Sequence, residues 1–214
     1  MARTAFLFLL CLCLVSAQAG PAQKDRAAGY GSYFVGPVDV EKPTQTNGAL
    51  GVVELNGLYY VSCRGKGATT TPPHTVYIFD AAGKLQGSFT QDTSAATSTW
   101  GWRDGADDGK SLMFGYEGGI VVCDTKGKKV NQLMAKNGLQ TLAANPIAGP
   151  GLTTLKNYRG LAYNPAGNGG KGSIWTGNFG SDLLEIDLGG KILTTHKITV
   201  NPTNQWSIYG LAWD

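Results

Sequence analysis

The sequence repeats one pattern three times: a short apolar run ends in aspartate and is followed, at a fixed offset, by glycine and lysine. The runs end at Asp80, Asp124 and Asp187, and the Gly-Lys pairs begin at Gly83, Gly127 and Gly190. Similar segments ahead of these runs end at Asn56, Asp104, Asn164 and Asp214, which are 48, 60 and 50 residues apart. A period near 50 residues, built from short strands, is typical of β-propellers and related repeat arrays.

Each copy is predicted to form one propeller blade, which is a sheet of four antiparallel strands. The predicted strands are 51–55, 58–63, 75–80 and 84–90 in the first copy, 100–104, 111–116, 118–124 and 128–134 in the second, and 160–164, 173–178, 182–187 and 192–200 in the third. Helix signals are nearly absent, and only residues 132–144 are predicted to hold a turn or two. Glycine is abundant, at 31 residues, which suits many tight turns.

The predicted fold class is all-β, with about three blades and the first strand of a fourth. The blades are assigned to residues 48–98, 99–157 and 158–207, and residues 208–214 begin the next. Because propellers typically have about four to eight blades, we expect the chain to be a fragment of a six-bladed propeller. An exposed blade flank would then favour self-association. The alternatives are closure by oligomerisation and a last sheet completed by residues 30–40.

The first nineteen residues are predicted to be a signal peptide. Arg3 supplies a positive charge, residues 5–15 are continuously apolar, and Ala17-Gln18-Ala19 has the small-x-small pattern of a cleavage site. The apolar run is shorter than the roughly 20 residues of a membrane span, and no span is expected in the mature chain. The mature protein is therefore predicted to be secreted or periplasmic, with residues 20–47 as a leader that includes a candidate closing strand.

Cysteine usage and charge restrict the chemistry. Cys63 and Cys123 remain after the signal, and Cys123 takes the repeat position of Phe79 and Ile186, which predicts a small buried side chain. A Cys63–Cys123 disulfide is the alternative that an oxidising compartment permits. The formal net charge is +3, or +2 without Arg3, and there is no basic run, so nucleic acid is not an expected partner. No Cys or His spacing predicts a metal site, and no cofactor is expected.

The Asp-x-x-Gly-Lys element is interpreted as a hairpin turn. Its aspartate is expected to accept hydrogen bonds from backbone N–H groups further along, and its glycine to supply the positive φ that a tight hairpin needs. Calcium binding or catalysis by these aspartates is the competing interpretation. It is disfavoured because each copy supplies one acid and the turns are expected to be spread around a ring.

Three segments resemble parts of known repeat proteins: Trp100-Gly101-Trp102-Arg103-Asp104, Arg159-Gly160-Leu161-Ala162-Tyr163-Asn164 and Gly210-Leu211-Ala212-Trp213-Asp214. They are similar to the propeller repeats of secreted bacterial proteins of unassigned function and, more broadly, to NHL-type and related six-bladed propellers. The resemblance covers residues 48–214 and concerns how a blade is built. It implies a class that includes scaffolds, carbohydrate or protein binders, and a minority of enzymes such as lactonases and streptogramin lyases, so the fold alone does not select a function.

In a propeller, the loops before the first strand and after the second strand of each blade lie on one face around the axis. Tyr, Trp and Arg side chains there would suit recognition of a sugar, a peptide or an anionic group. The candidate ligand-binding residues are Trp100, Trp102, Arg103, Asp104, Tyr116, Glu117, Arg159 and Asn178. Cys63, Arg64, Tyr158 and Tyr209 are expected on the same face.

A structural interpretation competes with ligand binding for several of these residues. Trp102 is a candidate wedge between blades, as are Tyr163 and Trp213. Arg103 and Arg159, which the repeat alignment places at non-identical positions, are candidate braces between neighbouring blades through Asp104.

We expect a non-enzymatic scaffold that binds an unknown protein or carbohydrate, and no catalytic residue is assigned. The alternative is a hydrolase or lyase whose site is completed by missing blades. A site resembling that of the lactonases would draw on Asp104 and Glu117 as the nearby acids. A site resembling that of the streptogramin lyases would need histidines at the channel mouth, whereas His74 and His196 are expected at the surface.

Overall fold

The computed structural model describes residues 39–92, 98–133, 158–178, 182–198 and 208–213. These residues are organised as three four-stranded antiparallel sheets, which confirms the all-β prediction. Sheet 1 contains β1 (Ala49–Leu55), β2 (Leu58–Cys63), β3 (Thr75–Asp80) and β4 (Leu85–Thr90). Sheet 2 contains β5 (Gly105–Asp107), β6 (Leu112–Tyr116), β7 (Gly119–Cys123) and β8 (Lys129–Leu133). Sheet 3 contains β9 (Gly160–Asn164), β10 (Ser173–Gly177), β11 (Leu183–Asp187) and β12 (Ile192–His196).

In each sheet the strands pair in chain order, so every sheet is a meander of hairpins. Two single helical turns accompany the strands in the described part of the chain, α1 (Glu41–Thr44) before β1 and α2 (Gly167–Gly170) between β9 and β10. The second of these contains two residues in the left-handed conformation, Asn168 (φ 52°) and Gly169 (φ 66°).

The repeated Asp-x-x-Gly-Lys element forms the same turn in all three sheets, as predicted. In sheet 1, Asp80 Oδ1 accepts hydrogen bonds from the N–H groups of Ala82 (3.0 Å) and Lys84 (2.9 Å). Gly83 has a φ of 78° and donates its N–H to Asp80 O at 2.9 Å. The same bonds recur around Asp124 and Asp187. Because the carboxylate is used by backbone donors within its own hairpin, the turn needs no metal to close.

A register shift precedes each of these turns at the same place. The pairing slips between Ile78 and Phe79 in sheet 1, between Val122 and Cys123 in sheet 2, and between Glu185 and Ile186 in sheet 3. A bulge of this kind increases the right-handed twist of the hairpin. The three sheets therefore share a local distortion as well as a turn.

The sheets stack face to face, and a separate apolar core lies between each neighbouring pair. Trp102 is fully buried at the centre of the first core, where its ring stacks on Phe114 with centroids 5.0 Å apart and meets Phe89 at 6.3 Å. The rest of this core is Val53, Leu55, Tyr60, Val76, Leu112, Tyr116, Val121 and Cys123. The second core, between sheets 2 and 3, is Ala106, Met113, Ile120, Leu133, Tyr158, Leu161, Ile174, Leu184 and Ile186.

The first strands of the sheets, β1, β5 and β9, are spatial neighbours, and the backbones approach closely there. A Cβ atom on Gly51 would collide with Arg103 O, and one on Gly115 would collide with Tyr158 O. Ser62 Oγ also donates to Arg103 O at 2.5 Å, which ties β2 to the segment before β5. Glycine at 51 and 115 is required by this close approach of main chains.

The first strand of sheet 2 is Gly105–Asp107 instead of the predicted 100–104, so it begins five residues later and ends three residues later. The error came from matching Asp104 to Asn164 by residue type. Arg103 N–H donates to Gly115 O (2.8 Å) and Arg159 N–H donates to Gly177 O (2.9 Å), so the two arginines occupy equivalent positions, contrary to the predicted offset. The N–H groups of residues 100–102 donate to the side chains of Ser98 and Gln91, which the repeat pattern does not encode.

The two cysteines of the described residues are free and fully buried. The disulfide alternative is therefore wrong, and the predicted core role is confirmed. Burial raises the pKa of the Cys63 thiol to about 11 and that of the Cys123 thiol to about 12.

Several predictions fall outside the described residues. These are the signal peptide at 1–19, most of the leader at 20–47, most of the candidate closing strand at 30–40 and the helical turn predicted within 132–144, of which only Gln132 and Leu133 are described and lie in β8. Within the described ranges, none of the helices has the length and apolar character needed to cross a bilayer.

Candidate functional site

One edge of the stacked sheets gathers the residues just before each first strand and just after each second strand. These segments meet because the start of one antiparallel strand lies beside the end of its partner. We call the side chains there the arginine cluster, which comprises Arg64, Trp100, Arg103, Glu117, Arg159 and Tyr209. Four of its members, Trp100, Arg103, Glu117 and Arg159, are among the predicted ligand-binding residues.

Trp100 lies between two cations of the cluster. The guanidinium carbon of Arg64 is 4.2 Å from the centroid of the Trp100 ring, and that of Arg103 is 5.7 Å away. Both distances are within the range of cation–π attraction, which holds the ring in place. Trp100 is nevertheless 40% exposed, so part of a large aromatic side chain remains open to solvent.

Arg103 is the buried member of the cluster. Its Nη2 atom donates to Glu117 Oε1 at 2.6 Å, and the side chains are 5% and 30% exposed, respectively. The second oxygen of Glu117 accepts a hydrogen bond from Ser98 Oγ. The Nε–H group of Arg103 is buried without a hydrogen-bond partner among the described residues. A guanidinium has five N–H donors, so this one retains donor capacity beyond the ion pair.

Arg159 lies close enough to Arg103 for the two charges to repel. Burial lowers the pKa of the Arg159 guanidinium, and the positive charge of Arg103 lowers it further, while Tyr209 and Glu117 oppose the shift. The guanidinium carbon is also 6.0 Å from the centroid of the Tyr209 ring. Tyr209 is 69% exposed, so the cluster continues from a buried base at Arg103 to an open aromatic rim.

Asp104 has a structural role beside the cluster. Its Oδ2 atom accepts hydrogen bonds from the backbone N–H groups of Leu161 (2.9 Å) and Leu211 (3.0 Å). Burial raises the pKa of this carboxyl, and those two hydrogen bonds and one from Gly105 act in the opposite direction. Asp104 therefore joins sheet 2 to sheet 3 and to the segment 208–213. The brace that was predicted to run from Arg103 and Arg159 through Asp104 is instead formed by Asp104 with main-chain N–H groups.

A network of buried polar side chains fixes the loop that carries Trp100. His74 accepts a hydrogen bond from Gly65 N–H at Nδ1 (2.8 Å), and its Nε2 lies 2.9 Å from Ser98 O. Since Nδ1 accepts, we assign the proton of the neutral ring to Nε2, which then donates to Ser98. Gln91 Oε1 accepts from Trp102 N–H (2.7 Å), and Ser98 Oγ accepts from Gly101 N–H (2.7 Å).

The surface position expected for His74 is therefore wrong, because His74 is 2% exposed. His196 is at the surface as expected and stacks on Trp175 with centroids 4.6 Å apart. His74, Gln91 and Ser98 were missed as supports of the site. Their role depends on contacts between distant segments, and no local spacing signals it.

The remaining predicted ligand-binding residues, Trp102, Tyr116 and Asn178, are buried. Trp102 is in the first core, the wedge role that was considered for it. Tyr116 is 3% exposed, and its hydroxyl accepts a hydrogen bond from Gln132 Nε2 at 2.7 Å. Asn178 is 7% exposed. Trp213 lies on the outer face of sheet 3, where its ring is 6.0 Å from that of Trp175 and remains 49% exposed.

A second surface feature lies on the outer face of sheet 1. An apolar hollow of about 360 Å³ is lined by Val40, Ala49, Leu50, Gly51, Val52, Tyr59 and Val61. Val52 is 53% exposed there. This is the surface to which the predicted self-association through a blade flank would apply.

Known proteins give no guide to the function of this site. No protein-family model matches the chain, and no curated protein is significantly similar to it. Among the described residues, no group of three or more His, Cys, Asp or Glu side chains is placed to hold a metal ion. The chemistry that the cluster offers is cationic and aromatic.

Proposed function

We propose that the chain is a scaffold for ligand binding, built from consecutive blades of a β-propeller of the NHL-like type. Support for the blade interpretation comes from three features. The sheets stack face to face, their first strands are neighbours, and the same turn and bulge recur in each. The small-x-small motif at Ala17-Gln18-Ala19 supports the further proposal that the chain is exported.

We propose that the arginine cluster is the binding surface and that its partner is a protein or a carbohydrate. The observation that carries this proposal is Trp100, an aromatic ring that is 40% exposed although two guanidiniums and a bonded loop fix its position. A fixed side chain loses little conformational entropy on binding, so its contacts contribute more fully to affinity. Tryptophan and arginine are also the residues that dominate binding hot spots.

The proposal is tested by screening the full chain on glycan and peptide arrays. A Trp100→Ala variant is expected to lose at least tenfold in affinity for any ligand found, which corresponds to about 1.4 kcal/mol. Trp213→Ala is the matched control, because Trp213 has similar exposure at the far face of sheet 3. Equal affinities of the Trp100→Ala and Trp213→Ala variants would show that the cluster is not the binding surface.

A separate screen for catalytic activity tests the enzymatic alternative. The two acids that a metal-dependent site would use are already engaged, Asp104 by backbone N–H groups and Glu117 by Arg103 and Ser98. Lactones, glycans and phosphoesters are incubated with the full chain, with and without chelator. Turnover that is abolished both by chelator and by Glu117→Gln would show that the protein is a hydrolase or lyase instead of a scaffold.

A further inference from the structure

The arginine cluster carries more positive than negative charge. It contains the three cations of Arg64, Arg103 and Arg159 and the one carboxylate of Glu117. Asp104 lies beside the cluster, and its Oδ2 atom is occupied by the N–H groups of Leu161 and Leu211. A partly buried group of like charges has unfavourable energy until an anion neutralises it.

Among the described residues, Arg103 also has an N–H donor without an acceptor. Arg103 is 4% exposed, and its Nε–H has no hydrogen-bond partner among the described residues. A buried charged donor without an acceptor is costly, and an anion bound beside it offsets part of that cost through its charge. The lowered pKa of the neighbouring Arg159 points the same way, because burial and the charge of Arg103 both disfavour its protonated form.

From this geometry we infer that the arginine cluster binds an oxyanion, the group common to phosphates, sulfates and carboxylates. The inference rests on the proposed function in that it assigns ligand chemistry to the same surface. Guanidinium groups match such oxygens with paired N–H donors, which a lysine ammonium does not. Trp100 and Tyr209 then supply exposed aromatic surface for the part of a small solute that carries the anion.

The site is formed before the ligand arrives. His74 and Gln91 hold the loop 98–102 through Ser98 O and Trp102 N–H, and Gly101 adopts a φ of 73° between them. A Cβ atom on Gly101 would lie 2.5 Å from Gln91 Oε1 and 2.7 Å from the His74 ring, so the packing requires glycine. A rigid loop keeps the guanidiniums and the indole in one arrangement, which lowers the entropic cost of binding.

Calorimetric titration of the full chain with inorganic phosphate, inorganic sulfate and glucuronate tests the inference, with chloride used to hold the ionic strength constant. We expect saturable binding of at least one anion and none of glucose, the neutral counterpart of glucuronate. The three anions distinguish phosphate, sulfate and carboxylate as the preferred group. Absence of saturable binding by the wild-type chain would overturn the inference.

Matched variants locate the binding. Arg64→Gln and Arg159→Gln are each expected to weaken anion binding at least tenfold. Arg103→Lys should do so too, because it keeps the charge but loses the paired donors. Lys128→Gln removes an exposed charge from the sheet 2 turn, away from the cluster, and is expected to bind as the wild type does. Equal affinities of the arginine variants and Lys128→Gln would show that any binding is non-specific.

Competition on the arrays separates this inference from the proposed function. A ligand that Trp100→Ala loses, but that none of the three anions displaces, leaves the binding function intact and overturns the oxyanion assignment. If an anion displaces the array ligand from the wild type, and that anion does not bind Arg159→Gln, both the proposed binding function and the oxyanion assignment are supported. Thermal melts of each arginine variant verify that lost binding is not lost folding.

Discussion

Asp104 accepts a hydrogen bond from the N–H of Leu211 at 3.0 Å, although the two residues are 107 positions apart in the chain. The same carboxylate oxygen accepts from Leu161 N–H, so one side chain connects sheet 2, β9 and the segment 208–213. A single acid thereby links three segments that are distant from one another in the sequence.

Removing that carboxylate should destabilise the fold. Asp104→Ala leaves two partly buried N–H groups without their acceptor, and each such loss costs roughly 1–3 kcal/mol. We therefore expect the free energy of unfolding in urea to fall by about 2–4 kcal/mol. Asp104→Asn keeps one oxygen acceptor and should lose less than half as much. The bridge would be energetically unimportant if Asp104→Ala unfolded at the wild-type urea concentration.

The same residue should give stability a pH dependence. Burial raises the folded-state pKa of Asp104, so the folded protein binds this proton more tightly than the unfolded chain does. Stability from this group is then greatest below its unfolded pKa of about 3.9 and declines as pH rises through the folded value. Thermal melts of wild type and Asp104→Asn are recorded from below the unfolded pKa to above the folded pKa. The melting temperature of the wild type, relative to that of Asp104→Asn, should decrease as pH rises over this range. An NMR titration of the Asp104 carboxyl with a midpoint at or below 3.9 would contradict the predicted direction of this pH dependence.

Trp102 and Trp100 should respond to substitution in opposite ways. Trp102 is fully buried and stacks on Phe114, so Trp102→Ala should cost about 3–5 kcal/mol of unfolding free energy. Trp100 is 40% exposed, and Trp100→Ala should cost about 1 kcal/mol or less. Denaturant unfolding of the two variants, side by side, makes this comparison. Similar losses for both would mean that the first core does not depend on Trp102.

The close approach of β6 to the segment before β9 predicts a glycine requirement at position 115. Gly115→Ala would push a methyl group into Tyr158 O, and overpacking of this kind typically costs about 1–3 kcal/mol. Gly87 in β4 is the control, because a Cβ atom there meets no atom within 4 Å. Thermal melts should show a lower midpoint for Gly115→Ala and little change for Gly87→Ala. A normal midpoint for Gly115→Ala would indicate that sheets 2 and 3 are further apart than described.

Local patterns in the sequence predicted the features that local bonds create. The turn at Asp80 is closed by donors within four residues, so its residue spacing already specifies it. The position of β5 could not be predicted in this way. Residues 100–104 resemble a strand in composition, but the backbone N–H groups of Gly101 and Trp102 donate to Ser98 Oγ and Gln91 Oε1, respectively.

The candidate site was predicted in part, for the same reason. Arg103, Glu117 and Trp100 were identified because they flank strand ends that meet at one edge. The choice between a buried and an exposed role depends on which face of a sheet a side chain occupies. For Trp102 and Tyr116 that face is the first core, and the position was not evident from residue type alone.

The hairpin turns at Asp80, Asp124 and Asp187 have a consequence for the folding kinetics. Each closes a contiguous segment with bonds internal to that segment, and short loops close quickly. We therefore expect folding to start at any of the three turns and to spread from one repeat to its neighbours, as repeat proteins can do. A defect at one turn should slow the growth of its own sheet while leaving the other two nuclei to form at their usual rate.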